Sequence, residues 1–86
     1  MATNQEDIIA VISAIIEEVI GFDADEVTID KSFVEDMNID WLSMIEIVAR
    51  LESNYGISIT DGDLDRLRTV RDAVECIRLS AIAPGQ

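Results

Sequence analysis

Few residues of this chain could do chemistry, and their types narrow the options quickly. Histidine is absent and there is one cysteine, Cys76. The commonest general base is therefore missing, and no Ser or Thr stands in a Ser-Lys or Ser-Asp-His setting that would activate it. An enzyme is not expected. Cys76 has no partner for an internal disulfide and no histidine with which to build a metal cluster, so it reads as a small hydrophobe on a helix. Asp61-Gly62-Asp63-Leu64-Asp65 has the look of an opening calcium loop. Such a loop needs Gly at its sixth place and a bidentate Glu at its twelfth, where this chain has Arg66 and Asp72. These carboxylates read instead as a solvated helix start, placed at the positive end of the helix dipole. No metal is expected. What remains is the stretch Asp36-Met-Asn-Ile-Asp40-Trp41-Leu42-Ser43-Met44-Ile45-Glu46-Ile47-Val48, where acids and apolar residues interleave around the only Trp.

The elements that must position this stretch are helical. Ile8, Ile9, Val11, Ile12, Ile15, Ile16, Val19 and Ile20 recur at helical spacing and end at Gly21. Thr3 and Glu6 have capping-box spacing, with Asn4 as a competing cap. Residues 21–40 carry Phe22, Val27, Ile29, Phe33, Met37 and Ile39 without a sustained period. So long a connection is uncommon in a compact domain, and those apolar residues predict an ordered loop pinned to the core. A second helix is expected from about Trp41 to Tyr55, with Asp40 as N-cap, Gly56 as stop, and Leu42, Ile45, Val48 and Leu51 on its inner face, widened by Met44 and Ile47. Ile57 and Ile59 suit an extended connector. Thr60–Leu67 suggests a short helical turn capped by Thr60 or Asp61. Thr69 and Asp72 repeat the capping-box spacing ahead of a last helix carrying Val70, Ala73, Val74 and Ile77. Residues 83–86 read as a frayed tail.

With 86 residues, the chain suits one small domain, ordered over about 3–82. Hydrophobic residues make up 49%, too many for a disordered chain. The net charge of −12 argues against nucleic acid and against an anionic membrane. Residues 1–49 hold twelve acids against Lys31 alone, while Arg66, Arg68, Arg71 and Arg78 crowd the C-terminal part. Partners with basic patches are the natural counterpart, and plain solubility is the simpler account. No basic n-region or transmembrane-length run is visible, so a cytoplasmic location is expected.

The Asp36–Val48 stretch resembles the signature of acyl carrier proteins, in which Asp-Ser-Leu opens the second helix, followed by hydrophobic residues and a Glu. Asp36, Asp40, Leu42, Met44, Glu46 and Val48 carry the likeness. It continues through Leu51-Glu52, Tyr55-Gly56, Ile57-Ser58-Ile59 and Leu67-Arg68-Thr69-Val70-Arg71-Asp72-Ala73-Val74. The wording Ile39-Asp40-x-Leu42-Ser43-Met44 is most similar to carriers of actinobacterial type II fatty acid or polyketide synthesis. Thr60 departs mildly, where the family often has Pro. The resemblance implies an all-α fold: an antiparallel bundle of three main helices plus one short helix, with a long loop between helices one and two. It implies an interior lined by Ile12, Ile16, Phe33, Leu42, Ile45, Val48, Ile59, Val70, Val74 and Ile77. The implied function is to tether acyl chains as thioesters on a 4'-phosphopantetheine arm and deliver them to basic-patched enzymes: a phosphopantetheinyl transferase, ketosynthases, acyltransferases and reductases. Asp40, Glu46 and Glu52 become recognition candidates, with Leu42 and Met44 as apolar contacts.

On this signature the attachment serine falls on Trp41. An indole has one N–H donor and no hydroxyl, so no phosphodiester forms there, and the arm is expected to be absent. The helix also loses a capping oxygen unless Asp40 serves as cap. Ser43 is the obvious substitute, but it lies about 200° around the helix from residue 41; Ser32 and Ser53 are weaker candidates. The preferred reading is a Ser→Trp substitution placed on an otherwise working carrier. The alternatives are a natural carrier-like interaction module, and an indole that folds back onto the bundle to add packing.

Overall fold

The computed structural model describes residues 4–82. The Thr3 cap and the 83–86 tail lie outside them. Four helices make up the fold: α1 (Gln5–Ile20), α2 (Trp41–Tyr55), the short α3 (Asp61–Asp65) and α4 (Val70–Ile82). No strand occurs among the described residues; one isolated antiparallel bridge joins Ser32 to Thr69.

Each helix starts and stops for local reasons. Asn4 caps α1, its side chain accepting the Asp7 N–H at 2.9 Å. Gly21, at φ 76°, and Gly56, at φ 65°, end α1 and α2 in the left-handed region that glycine enters without strain. Thr60 and Asp63 form a reciprocal capping box at α3. Thr69 and Asp72 form another ahead of α4: Asp72 N–H donates to Thr69 Oγ1 at 3.3 Å and Thr69 N–H to Asp72 Oδ2 at 3.0 Å.

α1 packs against both α2 and α4. Ile8, Ile12, Ile15 and Ile16 of α1, Met44, Ile47, Val48 and Leu51 of α2, and Val70, Ala73, Val74 and Ile77 of α4 are all buried. Most of the expected interior is there, with three corrections. Leu42 is 78% and Ile45 43% exposed, and Ile59 is half-buried. α2 is turned so that 44, 47, 48 and 51 face inward, a set at i, i+3, i+4 and i+7: Val48 and Leu51 keep their expected inner place, and Met44 and Ile47, expected only to widen that face, replace Leu42 and Ile45 on it.

The connection from α1 to α2 is ordered, as its apolar residues imply. Val27, Phe33, Met37 and Ile39 are buried, and full burial of such a side chain is worth roughly 1.5–3 kcal/mol. A short 3-10 turn over Ala24–Glu26, capped by Asp23, breaks its course and was not foreseen. The loop is then stitched to the start of α4 by backbone. Phe33 N–H donates to Arg68 O, Val70 N–H to Lys31 O and Arg71 N–H to Ile29 O, each at 3.0 Å, while Arg71 also pairs with Asp30 at 2.8 Å.

Candidate functional site

The start of α2 is held by the turn that precedes it. Ser32 O accepts from Asp36 N–H at 3.1 Å and Met37 N–H at 3.2 Å, and the Asp36 carboxylate accepts Ser32 N–H at 2.7 Å. Asn38 takes φ 56°, a left-handed conformation that Asn tolerates better than most residues. Ile39 N–H then reaches back to Phe33 O at 2.9 Å. Phe33 is itself tied to Arg68, so residue 40 is positioned by the α3–α4 junction as well as by its own helix.

Asp40 is the N-cap, its Oδ1 accepting Ser43 N–H at 2.8 Å. That N–H, helped by the Ser43 hydroxyl, holds the Asp40 carboxyl below the usual range. Trp41 is therefore the first residue inside the helix and not its cap, so the expected loss of a capping oxygen does not arise. Nor does the indole fold into the bundle. It is 57% exposed and lines a cavity of about 360 Å³. Buried Phe33, Ile39, Met44 and Leu67 wall this cavity with half-buried Leu64, and exposed Val34 and Trp41 flank it. Asp40 and Asp65 complete the lining, so the cavity is mostly apolar and suits an apolar guest.

The recognition candidates separate on the structure. Asp40 and Leu42 lie exposed at the head of α2. Glu46 is also exposed, but Arg50 engages it at 3.1 Å while reaching Glu18 of α1 at 2.9 Å. Met44 is a correction: only 7% exposed, it faces the cavity and offers nothing to a partner at the surface. Glu52 is another. Its Oε2 accepts Ile59 N–H at 2.7 Å, so it anchors the α2–α3 connector. Two further residues are exposed beside this site, Val34 at 66%, which the sequence does not single out, and Ile45 at 43%, expected on the inner face. Val34 follows a buried Phe inside a turn, and Ile45 has i+3 spacing from both Leu42 and Val48, so neither carried a sequence signal for exposure.

The other hydroxyls and carboxylates are accounted for locally. Ser43 is half-buried with its N–H on Asp40. Ser32 Oγ accepts Glu35 N–H at 3.1 Å, and Ser53 is exposed late in α2. Asp63 is committed to the α3 capping box, and no grouping of His, Cys, Asp and Glu suited to a metal occurs among the described residues. Cys76 is half-buried, and burial, aided by the Asp63 charge, pushes its thiol up, away from the reactive thiolate.

Comparison with known proteins converges on this geometry. Residues 10–77 match the model of the phosphopantetheine attachment site family. An acyl carrier protein of Rhodococcus erythropolis is 53% identical over 78 residues, spanning 91% of this chain and 86% of the relative. The meromycolate extension acyl carrier protein of Mycobacterium leprae is 54% identical over 78 residues, 91% of this chain and 68% of the relative. Among solved structures, the acyl carrier protein of Enterococcus faecalis superposes with a TM-score of 0.75 at 31% identity, covering 93% of this chain and 99% of that one. The hexanoyl carrier of the actinorhodin polyketide synthase of Streptomyces coelicolor gives 0.73 at 32% identity, covering 92% and 91%. With signature, caps, core and fold in agreement, the chain belongs to the phosphopantetheine attachment site family, among the acyl carrier proteins.

Proposed function

We propose that this chain is a carrier scaffold of type II fatty acid or polyketide synthesis that docks with acyl-processing enzymes but cannot be charged at residue 41. The observation that carries this is Trp41 at the first position of α2, exposed, in a helix start that is otherwise intact. The arm does not fit the residues present. Its attachment needs a hydroxyl at the exposed head of α2, and the indole has none. Ser43 is turned about 200° away and half-buried. In relatives with a serine here, the arm supplies the thiol on which acyl chains travel; in this chain the scaffold retains only the docking surface and the apolar cavity. Its partners are the phosphopantetheinyl transferase and enzymes of ketosynthase, acyltransferase and reductase type, met in the cytoplasm. It is a carrier and not a catalyst.

Trp41 reads as a substitution on a working carrier, since the Asp40 cap, the preceding turn and the core around it are intact. The alternative, a natural interaction module, shares the docking surface. One experiment tests the reading: coenzyme A and a promiscuous transferase, followed by intact mass, for this chain and for Trp41→Ser. The chain should gain no mass and the revertant one phosphopantetheine. Charging of the chain itself would mean the attachment site lies elsewhere, and failure of the revertant favours the interaction module. Comparison with the encoding gene then decides whether the substitution is natural.

A further inference from the structure

Among the described residues, four of the five exposed large hydrophobics, Val34, Trp41, Leu42 and Ile45, gather at the head of α2; the fifth, Leu79, lies on α4. They are contiguous. Val34 and Trp41 flank one cavity, and Ile45 stands one turn from both Trp41 and Leu42 on the helix surface. A gathering of apolar side chains rimmed by polar ones marks an interaction surface more often than scattered exposure does. Glu35, Asp36, Asp40 and Glu46 surround it, all exposed. The cation placed closest along α2, Arg50, is already held by Glu18 and Glu46.

We infer that Trp41 is itself an anchor residue: it enters an apolar recess, ringed by Lys and Arg, on a partner protein. The charge selects the occupant. A second copy of this chain would bring the same four carboxylates against these four, a repulsive pairing, whereas a basic rim is complementary. A large, stiff aromatic at the centre of an apolar patch with a polar rim is the arrangement in which one side chain carries most of the binding energy. The substitution that removes the attachment hydroxyl therefore also supplies a contact. This chain should hold its partners more tightly than its arm-free serine form does, and act as a competitor at the docking step. The inference rests on the docking reading above.

The test measures calorimetric affinity for a purified ketosynthase of an actinobacterial type II system, without coenzyme A, using the full chain, Trp41→Ser, Trp41→Ala and Leu79→Ala. Circular dichroism verifies that each variant is folded. Both Trp41 variants should bind about thirtyfold more weakly, the loss of a strong anchor, and Leu79→Ala should bind as the parent does. In the parent labelled with 5-fluorotryptophan, the single fluorine resonance should shift on binding. Equal affinity of the parent and both Trp41 variants overturns the anchor while leaving docking intact. Absence of binding by every form overturns the docking reading and the anchor with it. A concentration-dependent dimer in sedimentation that Trp41→Ala abolishes overturns the choice of partner, since the recess would then belong to a second copy.

Discussion

On its inner side α2 presents Met44, Ile47, Val48 and Leu51, none more than 7% exposed; on its outer side Trp41, Leu42 and Ile45 are 43% to 78% exposed. Both sides are apolar, and their residue types overlap. The inner side is paired with α1 and with the loop residues Phe33, Met37 and Ile39. The outer side has water in front of it and carboxylates around it. Apolar character alone thus says that a side chain wants cover, and the packing of neighbouring elements decides whether cover comes from within. A small domain that leaves three hydrophobics outside within two turns of one helix keeps a surface ready for another protein.

The largest effect separating the two sides is chemical and all-or-none. Trp41→Ser should turn an unchargeable head of α2 into one that accepts phosphopantetheine, seen as one added arm by intact mass, while stability changes little. The inner side should respond in the opposite sense. Ile47→Ala, at 0% exposure, should cost about 2–5 kcal/mol in urea unfolding. Leu42→Ala, at 78% exposure, should stay within about 0.5 kcal/mol. Equal costs for these two would break the comparison.

The same contrast holds for the two glutamates. Glu52→Ala leaves the Ile59 N–H without its 2.7 Å acceptor and should cost about 1–3 kcal/mol. Glu46→Ala loses an exposed ion pair and should cost about 0.5 kcal/mol or less. The smallest effect concerns acid. Asp40 has a folded-state pKa below its ordinary 3.8, so its cap contribution is fully present above that value and fades as pH falls through the lower folded pKa. Asp40→Asn keeps a capping oxygen and should remove only this acid-dependent part, followed by carboxyl NMR titration below pH 3.8.

Much of this was legible in order along the chain. Gly21 and Gly56 stop helices, Asp40, Thr60 and Thr69 start them, and α2 runs over the expected residues, because caps and stops are contacts among residues a few positions apart. The face of α2 was misjudged at Leu42 and Ile45, where apolar residues fill more of the helix than a single stripe and two inner faces suit the spacing equally well. The burial of Met44 and the Ile59 contact of Glu52 are not legible in the sequence for a related reason. Whether a methionine faces a cavity, or a glutamate bonds an amide seven residues on, depends on how the chain folds back.

The sequence by itself determined the helices, their caps, the acidic surface, the family and the missing hydroxyl at residue 41, since each follows from residue identity or from neighbours within a turn or two. Only the tertiary structure decided that the loop is tied by backbone to Arg68 and Val70, and that Trp41 stands half in water beside an apolar cavity. Those outcomes are set by contacts between segments far apart in the chain, and local pattern carries no record of which side of a helix such a segment will cover.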